Sequence, residues 1–158
     1  MFNYFNFRIM KNKVYEIGNR NDLKFSVQKT TPYIIRGNAK EMMPEEITFL
    51  FEGIDPESDL TEDNNLVCSI TKEEAIKLAI RLLKLSVERV PEYGLLLDNF
   101  SKHDFSVHHA KEDGVHINEP IFEIEDVKAD DIAEDGTISV CLTNESAKEL
   151  IKVLAKIV

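Results

Sequence analysis

The chain has 158 residues, of which 43% are apolar and 30% are charged, and its formal net charge is −10. This length allows one sizeable core or two small ones, and the composition is ordinary for a globular protein. No run approaches the roughly 20 apolar residues of a membrane span, and the first residues lack the pattern of a secretory signal. The sequence therefore predicts a small acidic cytoplasmic protein that does not contact a membrane.

The charge is distributed unevenly along the chain. Residues 1–40 hold 8 basic and 2 acidic residues, whereas the remainder holds 11 basic and 27 acidic residues, which gives net charges of +6 and −16. So acidic a body repels the phosphates of nucleic acid, which argues against nucleic acid as a partner. It suits a protein that covers the basic surface of another macromolecule, although solubility alone would also explain the charge.

In the first half, alternating or strongly apolar segments predict six strands, at residues 5–9, 13–17, 23–28, 33–36, 47–54 and 66–70. Basic residues among the first aromatic residues resemble a stacking platform for single-stranded nucleic acid. The alternation of apolar and polar residues at 5–9 instead favours a strand with one face in the core. Thr71 and Glu74 have the spacing of a capping box and predict a helix that continues to about residue 90. The polar stripe of this helix is narrow, so we expect it to be covered on more than one side.

The second half is predicted to follow the same plan. A hairpin is expected at residues 104–110 and 115–118, followed by strands at residues 121–127 and 137–142. Thr143 is placed to cap a second helix over about residues 145–157.

An internal repeat relates the two halves. Residues 70–84 resemble residues 142–156 in register, and Phe25-Ser26-Val27 recurs as Phe105-Ser106-Val107. Repeats of this kind indicate a duplicated supersecondary unit. The sequence therefore predicts an α+β fold built by tandem duplication of a β-β-β-α unit, with the two helices packed on the apolar face of antiparallel sheet.

The two repeats are expected to form a single pseudo-symmetric domain over residues 1–158, with halves at about 1–90 and 95–158. Neither half alone is long enough to bury a robust core, so the halves should pack together. Two separate domains, with a boundary near Pro91, are the alternative.

Each half carries an acidic turn that is predicted to contact a basic partner. Exposed turns of an acidic protein would look the same, and a calcium site is a further alternative that lacks the ligand spacing of an EF-hand. The predicted partner-binding residues are Asp59, Glu62, Asp63, Asp131, Glu134 and Asp135.

All four histidines lie within 14 residues: His103, His108, His109 and His116. Imidazoles on one face of a hairpin, with carboxylates nearby, are suitable ligands for zinc or another divalent metal. The usual zinc spacings are missing, so a polar hairpin that happens to be rich in histidine is the alternative.

No catalytic motif is found, because the glycines are isolated and neither cysteine has a histidine close in sequence. The sequence therefore predicts a non-enzymatic protein that docks on a basic macromolecular partner, such as an inhibitor or immunity-type protein of a nucleic-acid-processing protein. One alternative is a metal-dependent enzyme or metal sensor that uses the histidines of residues 103–116. Another is a structural or assembly protein that forms homo-oligomers through its helices.

Overall fold

A computed structural model describes residues 13–53, 65–87, 94–112, 115–127 and 136–158, with the side chains of 85–87, 110–112 and 115–118 left aside. The strand predicted at residues 5–9 lies outside these ranges. The elements are β1 (Tyr15–Ile17), β2 (Lys24–Thr30), β3 (Tyr33–Arg36), β4 (Ala39–Met42), β5 (Glu46–Glu52), β6 (Leu66–Thr71), α1 (Lys72–Val87), β7 (Leu95–Leu97), β8 (Phe105–Glu112), β9 (Val115–Ile124), β10 (Ile138–Cys141) and α2 (Asn144–Ile157).

The strands form two four-stranded antiparallel sheets. Sheet 1 has the order β1-β2-β5-β6 and sheet 2 has the order β10-β9-β8-β7, while β3 and β4 form a separate hairpin inserted between β2 and β5. The α+β class, the antiparallel sheets and the packing of helices against sheets are thereby confirmed. The second half differs from the predicted β-β-β-α unit, because it has four strands before its helix. β7 was not predicted, and the strands predicted at residues 115–118 and 121–127 form the single strand β9.

The core forms where the apolar faces of the two sheets meet. Alternation along each strand turns Phe25, Phe49 and Phe51 of sheet 1 to the same side, where they are fully buried. Their rings meet those of sheet 2, with centroids 5.9 Å apart for Phe25 and Phe122 and 5.3 Å apart for Phe49 and Phe105. Burial of each ring stabilises the folded state by about 1.5–3 kcal/mol. Because its rings come from both sheets, this aromatic cluster holds the two halves together.

Both helices begin at the predicted threonines. The Thr71 hydroxyl accepts a hydrogen bond from the Glu74 amide at 3.1 Å, and Thr143 accepts from the Ser146 amide at 3.0 Å. α1 and α2 contact each other as well as the sheets. Neither helix in the described part of the chain has the length and apolarity needed to cross a membrane.

α1 contacts α2 and strands of both sheets, but it is not covered all round by the described elements. Ala75, Leu78 and Leu82 are buried, as helical spacing requires for one core-facing stripe. A second apolar stripe remains half exposed because no described element packs over it. Its members are Ile76, Ile80 and Leu83, with exposed fractions of 47%, 48% and 51%.

Each half contributes a loop that covers the edge strand of the other half. The Arg20 amide, in the β1–β2 loop, donates to the Cys141 carbonyl on β10 at 2.8 Å. The Phe100 amide, in the β7–β8 loop, donates to the Ser69 carbonyl on β6 at 3.0 Å. Both edge strands thus gain a partner from the opposite half, which protects otherwise open backbone groups.

The two loops have the same internal hydrogen bonds. In the first loop, the Asn19 amide donates to the Leu23 carbonyl at 2.7 Å, and in the second the Asn99 amide donates to the His103 carbonyl at 3.0 Å. Each asparagine also accepts, through Oδ1, from the backbone amide two residues later. Asparagine favours such turns because its side chain imitates a backbone carbonyl.

Candidate functional site

The predicted partner-binding carboxylates lie outside the described residues, which omit 54–64 and 128–135. These residues are Asp59, Glu62, Asp63, Asp131, Glu134 and Asp135. Their role in binding a partner stays a prediction.

The histidines with described side chains lie in different environments. His108 and His109 follow each other on β8 and therefore face opposite sides of sheet 2, the first half-buried and the second buried. His103 is buried in the preceding loop, where its Nδ1 lies 3.1 Å from the Glu125 carbonyl. Within the described ranges, no three His, Cys, Asp or Glu side chains form a group that could hold a metal.

His116 pairs with Lys111 through its backbone, and its side chain is not among those that the structure describes. The metal-dependent enzyme or metal sensor therefore stays a prediction that depends on this residue.

The outer face of sheet 2 carries a polar depression of about 220 Å³. His108 lies beside it, with Nε2 2.8 Å from Ser106 Oγ and 3.6 Å from the Glu123 carboxylate. A Cβ atom on Gly94 would lie 2.2 Å from His108 Nδ1, so glycine leaves the space that the imidazole ring needs. The lining residues, which define the sheet 2 depression, are Gly94, Leu96, Asp104, Ser106, His108 and Glu125.

The geometry of the sheet 2 depression suits binding better than nucleophilic catalysis. Ser106 and Glu123 both approach the same ring nitrogen of His108, whereas a catalytic triad needs the carboxylate on the other nitrogen. Among the described residues, none forms an ion pair with Asp104 or Glu125. Both carboxylates can therefore pair with a cation from another molecule.

A larger cleft of about 510 Å³ lies where β5 begins and α1 begins. The exposed Phe100 and Pro44 and the partly exposed Met43 give it an apolar wall, and three carboxylates and one ammonium group give it charge. The residues of this β5–α1 cleft are Met43, Pro44, Glu45, Glu46, Thr71, Lys72, Glu73 and Phe100.

The two adjacent glutamates of the β5–α1 cleft have opposite electrostatic environments. Glu45 forms ion pairs with Lys29 and Lys72, each at 3.2 Å, and these hydrogen bonds lower the pKa of its carboxyl. Burial instead raises the pKa of Glu46 to about 7, because no cation compensates for the loss of solvent. A titrating carboxyl in the larger cleft marks a candidate site.

Glu46 and Phe100 were not among the site residues predicted from the sequence. A pair of glutamates at the start of an apolar strand places one carboxylate on each face, and that signal was present at Glu45-Glu46. Phe100, an aromatic residue in an otherwise polar loop, offered a second signal. No signal in the sequence indicated that these two residues lie close together. They are 54 positions apart in the chain, and only the pairing of the two halves brings them together.

Neither cysteine is suited to act as a nucleophile. Cys68 and Cys141 are free thiols. Burial raises the pKa of Cys68 to about 12, and burial together with the nearby Glu119 carboxylate also raises the pKa of Cys141. Thiolate, the reactive form, is therefore scarce at neutral pH.

No known protein family, curated protein or solved structure matches the chain. Similarity to known proteins therefore links no activity to the repeat, to the sheet 2 depression or to the β5–α1 cleft. What the molecule does must be inferred from its own charges, clefts and contacts.

Proposed function

We propose that the protein binds a basic macromolecular partner through its acidic surface, in the manner of an inhibitor or immunity-type protein that covers the basic site of a nucleic-acid-processing protein. The observation that carries this proposal is the pair of carboxylates, Asp104 and Glu125, that line the sheet 2 depression without an ion pair. The charge of −16 outside residues 1–40 supports it.

Electrostatics gives this proposal a distinct signature. Complementary charge accelerates encounter with a basic surface, and salt screens it over a Debye length of about 8–10 Å. A basic side chain that enters the depression would meet Asp104 and Glu125, with Glu123 beside them. Binding should therefore weaken as ionic strength rises.

The test is capture of proteins from host lysate at low and at high salt, with identification of what is retained. We expect a basic protein that is retained at low salt and lost at high salt. An Asp104→Asn, Glu125→Gln double variant should retain less of it. A control with Glu16→Gln and Glu149→Gln loses the same charge at exposed positions elsewhere, and it should bind like the parent chain. Retention that ignores salt, or equal loss in both double variants, would contradict the proposal.

The assembly role has one specific observation in its favour. Ile76, Ile80 and Leu83 occupy one face of α1 and are each about half exposed. A second copy of the chain would cover this stripe. Sedimentation over a range of concentrations should then show a dimer that Ile80→Lys abolishes and Leu96→Lys, at an exposed leucine of β7, does not. A monomer at all concentrations would exclude this role.

We also infer that the two halves derive from duplication of a four-stranded meander followed by a helix. Matching cross-strand pairs, matching loops and matching helix caps support the inference. If the duplicated units complete each other, the halves made as separate chains should associate one to one, which native mass spectrometry measures, and two persistent monomers would contradict that complementarity. The corresponding pairs are Tyr15–Val27 with Leu95–Val107, Ile17–Phe25 with Leu97–Phe105, and Phe25–Phe51 with Phe105–Ile124.

A further inference from the structure

Arg20 and Phe100 occupy corresponding positions in the two halves. Each directly follows the asparagine of its loop, and each donates its amide to the edge strand of the opposite half. The acceptors also correspond, because Ser69 and Cys141 both lie two residues before the threonine that caps the following helix. The same place in the fold therefore holds a guanidinium group in one half and a phenyl ring in the other.

Glu119 and Glu46 also correspond. Glu46 directly precedes Ile47, which pairs with Ile70, and Glu119 directly precedes Pro120, whose carbonyl accepts from the Leu142 amide. Ile70 and Leu142 in turn precede the capping threonines. Each glutamate thus lies at the start of the core part of its strand, beside the start of a helix.

Glu119, in the second half, forms an ion pair with Arg20. Arg20 donates from Nε to one Glu119 oxygen at 2.7 Å and from Nη2 to the other at 2.5 Å, which is the bidentate geometry that carboxylate and guanidinium favour. In the first half, Phe100 is 57% exposed and supplies no charge. Among the described residues, none forms a hydrogen bond or ion pair with the Glu46 carboxyl.

The nearby cation does not replace the missing arginine. Lys72 also lines the β5–α1 cleft, but its ammonium group is 3.2 Å from Glu45, which Lys29 contacts as well. Glu46 therefore remains beside an open cleft of about 510 Å³, whereas Arg20 occupies the corresponding place beside Glu119.

We propose that the β5–α1 cleft binds a guanidinium group from another molecule, which pairs with Glu46 as Arg20 pairs with Glu119 and stacks on the ring of Phe100. Guanidinium is planar, matches a carboxylate bidentately and stacks on aromatic faces, so the two walls of the cleft suit it together. The site is independent of the proposed docking through sheet 2, because the β5–α1 cleft and the sheet 2 depression share no lining residue. A free guanidino compound would fill it as well as an arginine side chain would.

Binding should depend on pH through Glu46. Burial raises the pKa of its carboxyl to about 7, so the carboxylate that a guanidinium needs is minor at pH 6 and predominant at pH 8. The other charged groups of the cleft are Glu45, Lys72 and Glu73, of which the first two form an ion pair. The affinity should consequently rise about tenfold from pH 6 to pH 8.

The experiment is a titration of the full chain followed by amide chemical shifts in NMR, at constant ionic strength. The probes are ethylguanidinium and the peptide acetyl-Gly-Arg-Gly-amide, and the control is the same peptide with citrulline, the neutral isostere of arginine. We expect saturable shifts at Glu46, Thr71 and Phe100 with both guanidino probes, stronger at pH 8, and none with citrulline. Tighter binding of the peptide would indicate an arginine side chain as the source, and equal binding would indicate a free compound.

Three variants make the test specific. Glu46→Gln should abolish the shifts, and Glu16→Gln, at an exposed carboxyl on β1, should leave them unchanged. Phe100→Arg should also abolish them, because the new side chain fills the cleft from within as Arg20 does in the other half. The absence of saturable shifts with either guanidino probe at pH 8, or shifts that persist in Glu46→Gln, would overturn the proposal. Failure here would leave a salt-sensitive partner at sheet 2 unaffected.

Discussion

At the scale of single residues, Glu45 and Glu46 show how position on a strand determines acidity. They are adjacent, yet the side chain of one reaches two ammonium groups and that of the other is partly buried without a cation. The same residue type therefore has its pKa lowered in one case and raised in the other. Glutamates with this contrast stabilise the fold in opposite ranges of pH.

Glu46 should make the native state less stable as pH rises. Its pKa is raised from 4.5 to about 7, so the folded chain holds its proton more tightly than the unfolded chain. The stabilisation is complete below about pH 4.5 and is lost as pH approaches 7. The full shift would correspond to about 3.4 kcal/mol, but solvent screening of this half-exposed carboxyl reduces the expected loss to about 1–2 kcal/mol.

Urea denaturation of the parent chain and of Glu46→Gln at pH 5 and at pH 8 measures this effect. The difference in unfolding free energy between the two chains should change by that amount across the interval, because the glutamine does not titrate. A difference that is the same at both pH values would show that Glu46 is not perturbed.

Gly94 and His108 should be coupled energetically. Gly94→Ala places a methyl group 2.2 Å from the unmoved imidazole, so His108 must rotate away and lose its hydrogen bond to Ser106. We expect a destabilisation of about 1 kcal/mol. In a His108→Ala background, the same substitution should cost almost nothing. A double-mutant cycle in urea tests the coupling, and additive effects would contradict it.

At the scale of elements, regular periodicity was enough to locate both helices and most strands. β4 was missed because its side chains, from Ala39 to Met42, are all exposed and so lack a buried face. β7 was missed because three consecutive leucines show no alternation. The predicted break before residue 121 was wrong, since Pro120 is accommodated within β9 next to an irregularity in its pairing with β8.

The helix caps provide a matched test at this scale. Thr71→Ala and Thr143→Ala each remove the acceptor of one first-turn amide, and we expect each to cost about 1 kcal/mol. Thr71→Ser and Thr143→Ser keep the hydroxyl and should recover most of that stability. Thermal or urea denaturation of the four variants measures the effect, and equal losses with alanine and serine would show that the hydroxyls do not cap.

At the scale of the whole molecule, the halves complete each other through their loops. The Ser101 hydroxyl, in the second half, lies 3.9 Å from the thiol of Cys68 in the first half. The Asn21 side chain, in the first half, accepts from the Cys141 amide in the second. Such reciprocal contacts explain why the candidate cleft was not predictable: its walls belong to segments that only the paired halves bring together.

A cysteine in each half reports on this reciprocity. Asn99→Ala removes the side chain that holds the β7–β8 loop, which covers the edge of β6. The buried Cys68 should then react faster with a thiol reagent such as Ellman's reagent, while the rate for Cys141 stays the same. Asn38→Ala, in the exposed turn between β3 and β4, is the control and should alter neither rate. Equal acceleration of both thiols would indicate general loss of stability.

The loop that covers β10 has a consequence for the order in which the protein is made. Asn21 and its partner Cys141 are 120 residues apart, so a ribosome working at about 5–20 residues per second needs roughly 6–24 s to supply the second after the first. Throughout that interval the newly made β1–β2 loop has no strand to cover. The phenylalanines of sheet 1 likewise await those of sheet 2. The nascent chain should therefore be a client for chaperones during most of its synthesis and reach its native state only after nearly all of it has emerged.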